Sequence, residues 1–67
     1  MANLEMLKAK IEESGMPIET LATRAGIERY TLDRRLRGLG EFKASEIVGI
    51  SKALHLKMSE RNEIFLT

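Results

Sequence analysis

The chain has 67 residues and a net charge of +1, with 43% of its residues apolar and 31% charged. This composition excludes a disordered tail, and the length leaves room for one small hydrophobic core, so we expect a single domain over residues 1–67. No apolar stretch is long enough to cross a bilayer, and the charges at Glu5, Lys8 and Lys10 argue against a signal peptide. We therefore expect a cytoplasmic protein with no membrane partner.

Residues that carry catalysis or bind metals are scarce in this sequence. It contains no cysteine and one histidine, His55. Disulfides, thiolate sites and sites with several histidine ligands are therefore excluded. The ten carboxylates have spacings typical of solvated helix faces. We predict that the protein is not an enzyme and that it has no catalytic residues, cofactor, metal or small-molecule substrate.

The apolar residues follow a helical period along the whole chain. A first helix is predicted to carry Leu4, Leu7 and Ile11. It should end at Gly15, because glycine adopts the left-handed conformation that closes a helix at little cost. Pro17 suits the first turn of a second helix, which Gly26 should end. The apolar face of that second helix consists of Ile18, Leu21, Ala22 and Ala25.

A third helix should begin near Glu28 and end at Gly38. Its inner face carries Leu32 and Leu36. Ile27 has the spacing of a hydrophobic staple to Leu32, which would fix the start of the helix against the core.

The rest of the chain predicts a loop and two more helices. Phe42, at the end of loop 39–42, should fold back onto the core. A fourth helix is marked by Ile47, Ile50, Ser51 and Leu54, and Val48 should widen its apolar stripe. Ser59 is the expected N-cap of a short fifth helix that contains Ile64, Phe65 and Leu66. Because no strand pattern or repeat is present, the predicted fold is an all-α, compact five-helix domain.

The segment GIERYTLDRRLRG, residues 26–38, holds four of the six arginines of the chain. On a helix, five of its polar side chains fall within an arc of about 140°, opposite the leucines. They are Arg29, Tyr30, Asp33, Arg34 and Arg37. Arg35 falls outside this arc. Arginine pairs with guanine O6 and N7 or with phosphates, so the pattern favours DNA binding. The alternative is a solvated face on which Arg34 and Arg37 interact with Asp33 and Glu41.

The turn before this helix supports the DNA-binding interpretation. Ala22 is small enough to let two helices approach, Gly26 makes the turn, and Ile27 and Leu32 hold the pair together. The chain carries LATRAGI at 21–27, the pattern T-L-x-R-x-L-x-G at 31–38 and SEIVGISKALHL at 45–56. In these segments it resembles the Cro/cI-type helix-turn-helix family, also called the xenobiotic-response-element class.

The likeness covers the chain from about Leu4 to Leu56, and SERNEIFL at 59–66 is similar to the ends of small prophage-type regulators. The resemblance implies a lambda-repressor-like DNA-binding domain with its helix-turn-helix at about 17–38. It also implies a sequence-specific regulator of transcription, a repressor of phage or prophage type, that reads the major groove with helix 28–37.

The resemblance assigns roles to individual residues. Contacts to base edges would come from Glu28, Arg29, Tyr30, Asp33 and Arg34. Contacts to phosphates would come from Glu19, Thr20, Arg37 and Lys43. Because the family usually acts as dimers on two half-sites of a DNA operator, we expect a homodimer at least on DNA. The expected dimer interface is an apolar strip of Met58, Ile64, Phe65 and Leu66.

The chain departs from the family pattern at several positions. Ile18 stands where the family usually has a glutamine that binds phosphate and the neighbouring recognition residue. Ile11 and Leu36 replace an Arg–Glu pair, so we expect apolar packing between the first and third helices instead. Glu28 and Asp33 put negative charge on the expected DNA side, where they would accept from cytosine N4 or repel wrong sequences.

His55 stands where the family commonly has the glycine that ends a helix. Histidine tolerates the left-handed backbone conformation better than most residues. We therefore interpret His55 as a helix C-cap rather than as a ligand or a pH switch.

Two other classes of function stay open on the sequence. A protein-interaction module of antitoxin or anti-repressor type, with weak or lost DNA binding, would suit the near-neutral charge and Ile18. A helical domain that folds by itself and has no native partner is the third class. Steep salt dependence of binding to mixed-sequence duplex DNA would favour the first hypothesis over both others.

Overall fold

Five helices follow one another along the chain in the computed structural model, which describes residues 2–66. They are α1 (Leu4–Ser14), α2 (Ile18–Ala25), α3 (Arg29–Leu36), α4 (Ala44–Ala53) and α5 (Met58–Phe65). The described residues contain no strand, so the predicted all-α, five-helix fold is confirmed. Residues 1 and 67, the two ends of the predicted domain, lie outside the described part. No helix within residues 2–66 has the length and apolar character that crossing a bilayer requires.

A residue in the left-handed conformation follows four of the five helices, as predicted. These residues are Gly15, Gly26, Gly38 and His55. His55 has a φ of 53°, and its N–H donates to the Lys52 carbonyl at 3.2 Å. The next N–H, of Leu56, donates to the Ser51 carbonyl at 2.9 Å. This is the Schellman pattern of hydrogen bonds, so His55 closes α4 in the way that glycine usually does.

Two helix starts differ from the prediction. Pro17 is the N-cap of α2 and lies just before the first turn rather than in it. The prediction of Ser59 as the N-cap of the last helix was wrong, because α5 begins at Met58 with Lys57 as its N-cap. The carboxylate of Glu60 accepts from the backbone N–H of Lys57 at 2.8 Å. This bond closes the first turn earlier than a serine cap at position 59 would.

Residues from all five helices meet in one core. Its largest fully buried side chains are Leu7, Leu21, Leu32, Ile50 and Ile64. Ile11 and Leu36 are each 8% exposed, belong to the same core and line one shallow surface depression, which agrees with their predicted role as apolar packing. The ring of Phe42 packs edge-on against Phe65 with centroids 5.2 Å apart, so Phe42 does fold back onto the core.

The fold divides the predicted C-terminal strip. Ile64 is fully buried and Phe65 is nearly so, and their prediction as dimer-interface residues was therefore wrong. The N–H of Asn3 donates to the Ile64 carbonyl at 2.6 Å, and this bond holds the last turn of α5 against the start of α1. Met58 and Leu66 remain 66% and 67% exposed. A dimer contact through these two residues stays a prediction.

The buried side of α4 is narrower than predicted. Val48 is 43% exposed, so it does not widen the apolar stripe of the helix. Gly49, the next residue, faces the end of α2 and brings the two backbones together. The two helices thus come closest at Gly49, which has no side chain to keep them apart.

Candidate nucleic-acid interface

A three-residue turn, residues 26–28, joins α2 to α3. Gly26 has a φ of 72°, and the N–H of Ile27 donates to the Ala22 carbonyl at 2.9 Å, which closes α2. Ile27 is buried in the middle of the turn, and Leu32 is buried one turn into α3. These two anchors correspond to the predicted hydrophobic staple and fix which side of α3 faces outward.

The outward side of α3 carries the side chains that were predicted to contact bases, and we call it the outer face of α3. It comprises Glu28, Arg29, Tyr30, Asp33 and Arg34. All are exposed except Asp33, which is half-buried. Tyr30 is 70% exposed although its ring is the largest side chain of this helix. The predicted division of α3 into a polar outer side and a buried leucine side is confirmed.

Arg29 makes an ion pair across the turn. Its Nη1 donates to Oε1 of Glu19 at 3.2 Å, so the first residue of α3 contacts the first turn of α2. The two side chains are 57% and 74% exposed, and a pair with this exposure contributes at most about 1 kcal/mol to stability. Among the hydrogen bonds within residues 2–66, this is the one that Arg29 makes with its side chain. Most of its five N–H donors are therefore open to a ligand.

Arg34 and Tyr30 lie one turn apart and contact each other. The guanidinium carbon of Arg34 is 5.8 Å from the centroid of the Tyr30 ring, which is a cation–π arrangement. No ion pair within the described chain joins Arg34 or Arg37 to Asp33 or Glu41. The face is exposed to solvent, so the alternative of a solvated face stays open, without the ion pairs that it proposed.

Arg35 points away from the outer face and forms a contact that sequence reasoning missed. Its Nε donates to Oε1 of Glu46 at 3.2 Å, and both side chains are less than 15% exposed. The same carboxylate oxygen accepts from the backbone N–H of Lys43 at 2.9 Å. Glu46 therefore ties α3 to the start of α4 and fixes the place of Lys43 beside the end of α3. A separation of eleven residues along the chain leaves no local signal for such a pair.

The predicted phosphate-binding residues lie at both ends of the unit formed by α2 and α3. Glu19 and Thr20 are in the first turn of α2, where no side chain caps the free backbone N–H groups. Arg37 and Lys43 are exposed beyond the last turn of α3. Arg24, which the sequence analysis did not include, lines the same shallow groove as Glu19 and Thr20. Its position one turn after Thr20 on α2 is the signal that could have identified it.

Charges of both signs alternate across this surface. Its cations are Arg24, Arg29, Arg34, Arg37 and Lys43, and its carboxylates are Glu19, Glu28 and Asp33. The described residues thus form a small all-α domain that presents an arginine-bearing helix after a short turn, on a surface that is only weakly basic. No protein-family model, no curated protein and no solved structure matches the chain.

Proposed function

We propose that the protein is a sequence-specific, double-stranded-DNA-binding regulator of transcription, a repressor of the Cro/cI type found in phages and prophages. One observation carries the proposal. Arg29, Tyr30 and Arg34 stand exposed on one side of a short helix whose other side is buried and which follows a three-residue turn. A helix fits the major groove of B-DNA, where arginine reads guanine through O6 and N7.

The proposed contacts follow from the position of each side chain on this surface. Arg29 and Arg34 donate to base edges, and Tyr30 contacts a thymine methyl group or a phosphate. Glu28 and Asp33 accept from cytosine N4 or repel sequences that lack it. Phosphates are bound at the two ends of the unit, by the free backbone N–H groups in the first turn of α2 at Glu19 and Thr20 and by the side chains of Arg37 and Lys43.

Two protomers would bind one operator. A single small domain buries too little DNA surface for tight binding, and two-fold related recognition helices match half-sites about one DNA turn apart. The exposed Met58 and Leu66 are the apolar residues from which such a dimer contact would be built. Such a regulator would act on DNA in the cytoplasm by blocking or recruiting polymerase, and it would need no catalytic group, cofactor or small-molecule substrate.

The proposal is tested by selecting bound sequences from a pool of random duplexes. We expect an enriched, palindromic consensus, since one half-site would be read by each protomer. Binding to a mixed-sequence duplex should weaken as salt rises, with a logarithmic slope of about −2 to −4 per protomer if two to four phosphates are neutralised. An unenriched pool together with salt-independent binding would show that DNA is not the ligand.

A protein-interaction module of the antitoxin or anti-repressor type is the second candidate. The near balance of cations and carboxylates on the α2–α3 surface favours it, because weakly basic surfaces attract DNA poorly. In that case the partner protein should lose affinity when Tyr30 is replaced by alanine, and duplex DNA should not compete. Competition by duplex DNA that disappears at high salt would speak for the first candidate.

A further inference from the structure

Glu19 and Arg29 form the one ion pair within residues 2–66 that bridges α2 and α3. We propose that Glu19 is a positioning residue that directs Arg29 to a guanine edge and away from phosphates, and that it thereby sets the sequence discrimination of the surface. This inference rests on the proposed DNA-binding function and adds a role for one carboxylate that is otherwise placed among phosphate contacts.

The geometry of the pair leaves Arg29 able to read a base while it is held. The contact uses one N–H of Nη1, at 3.2 Å from Oε1 of Glu19. A guanidinium has five N–H donors in a planar fork, so four remain, and two of them can donate to O6 and N7 of guanine. Glu19 and Arg29 stand on helices anchored by the fully buried Leu21 and Leu32. The pair therefore narrows the range of positions that the guanidinium occupies before DNA arrives, which lowers the entropy lost on binding.

The negative charge of Glu19 makes Arg29 bind a base edge in preference to a phosphate. If Arg29 bound a phosphate instead, the exposed carboxylate of Glu19 would be held close to an anion. A guanine edge carries no net charge, so Arg29 can pair with it and keep Glu19 as its partner. The carboxylate consequently weakens binding to arbitrary sequence more than binding to a site with guanine at the matching position.

Arg34 provides a comparison within the same surface. It contacts the uncharged ring of Tyr30 and has no carboxylate partner among the described residues. Removal of Glu19 should therefore change the base preference at the position read by Arg29 and leave the position read by Arg34 unchanged.

Selection from a random duplex pool, combined with binding to a mixed-sequence duplex, tests the proposal. Glu19→Ala should lower the preference for guanine at one position by about three- to fivefold, because an exposed ion pair positions the guanidinium only weakly and Arg29 itself remains. Arg29→Ala should affect the same position, and adding Glu19→Ala to it should cause no further loss there. Affinity for mixed-sequence duplex should rise about threefold at low salt in Glu19→Ala, because one carboxylate no longer faces the phosphates.

Two further variants distinguish the positioning of Arg29 by Glu19 from the effect of the negative charge of Glu19. Glu19→Gln keeps an oxygen that accepts from Arg29, so it should retain most of the guanine preference while it binds mixed-sequence duplex more tightly. Glu63→Ala removes the same charge from an exposed residue of α5 and should leave the guanine preference unchanged. Circular dichroism of each variant checks that the helices are intact.

The outcomes distinguish this inference from the function on which it rests. An unchanged consensus in Glu19→Ala, or equal effects of Glu19→Ala and Glu63→Ala, would overturn the positioning role while the wild-type consensus still supported DNA binding. A wild-type protein that enriches no sequence would overturn both. A loss of about three- to fivefold confined to the position read by Arg29 would support the proposal.

Discussion

A Cβ atom placed on Gly49 would lie 2.1 Å from the carbonyl oxygen of Ala25, because α4 crosses the end of α2 with the two backbones nearly in contact. The carbonyl carbon and Cα of Ala25 would lie 3.0 and 3.2 Å away. These atoms belong to the backbone and cannot turn aside as a flexible side chain would. Gly49 therefore sets the spacing between α4 and the helix that carries the turn into α3.

Replacing Gly49 with alanine should lower the free energy of unfolding by about 2 kcal/mol, because the helices must separate to admit a methyl group. A loss of stability would be informative, because alanine favours a helix over glycine by about 1 kcal/mol where space allows. Urea denaturation measures the change. Ser45→Ala, at an exposed position of the same helix, is the control and should stay within about 0.5 kcal/mol of wild type. Equal or greater stability of Gly49→Ala would contradict the close approach.

Replacing His55 with glycine should leave the protein as stable as wild type or raise its free energy of unfolding by up to about 1 kcal/mol. The left-handed conformation of His55 costs a residue with a side chain about 1–2 kcal/mol, and the greater freedom of glycine in the unfolded chain offsets part of the gain. His55→Val should instead lose stability, because a branched side chain tolerates this conformation worst. Chemical denaturation of the three proteins gives the order, and a glycine variant less stable than the valine variant would contradict the capping role.

Leu36→Ala should cost about 2–5 kcal/mol, since it empties a buried site between α3 and the rest of the core. In a domain of this size, that loss would unfold much of the population. Leu39→Ala is a matched control, because Leu39 lies three residues later and is half exposed. It should change stability by no more than about 0.5 kcal/mol. Thermal unfolding followed by circular dichroism checks both, and equal effects would show that α3 has a different register.

The Lys10–Glu60 pair should make stability depend on pH. The hydrogen bond from Lys10, supported by the N–H of Lys57, lowers the pKa of Glu60, and the bond to Glu60 raises the pKa of Lys10. The contribution of Glu60 is thus present above its ordinary pKa of about 4.3 and is lost as the pH falls through the lowered value. The contribution of Lys10 is present below about pH 10.4 and is lost as the pH rises through the raised value.

The free energy of unfolding of Glu60→Gln at a series of pH values measures the contribution of Glu60 at acid pH. The variant should be less stable than wild type at pH 7, and the difference should shrink below about pH 4 as Glu60 of the wild type is protonated. Glu63→Gln, at an exposed position of the same helix, should show no such trend. A difference between Glu60→Gln and wild type that stays constant from pH 7 to pH 3 would exclude the carboxylate as its source.

Local spacing was enough to predict where the helices lie and which side of each is buried. The helix ends at Gly15, Gly26 and Gly38 depend on the left-handed backbone conformation, which glycine adopts at the least cost, so the residue type itself marks them. The contacts of α4 and of the C-terminal residues depend instead on tertiary packing. The period predicted that Val48 would widen the apolar stripe of α4, whereas the close contact with α2 falls at Gly49. Ile64 and Phe65 pack into the core, and the hydrogen bond from the N–H of Asn3 to the Ile64 carbonyl holds this part of α5 beside the start of α1.

The outer face of α3 could also be predicted from local spacing. The ion pairs that its helix makes with other helices could not. The exposure of Arg29, Tyr30 and Arg34 follows from the helical period once the leucines face inward. The pairs Glu19–Arg29 and Arg35–Glu46 join residues ten and eleven positions apart, so they depend on how the helices are arranged in space.

The residues of the α2–α3 surface should fall into two groups when DNA binding is measured. Arg29→Ala and Arg34→Ala should each cost about 1–3 kcal/mol on the preferred site and relax the base preference at one position. Arg37→Ala and Lys43→Ala should weaken binding evenly across sequences and lower the salt slope by about one unit, because each removes a phosphate contact. Four variants that behave alike would show that these roles are assigned wrongly.

The most direct test of base reading by α3 is a titration of Arg34→Ala with the preferred duplex and with a mixed-sequence duplex in the same salt. We predict a loss of about tenfold or more on the preferred duplex and a much smaller loss on the mixed one, since a base contact exists in the first complex alone. Lys52→Ala removes the same charge from an exposed residue of α4 and should weaken both complexes slightly and equally. Equal losses of Arg34→Ala on the two duplexes, no larger than those of Lys52→Ala, would contradict base reading by this helix.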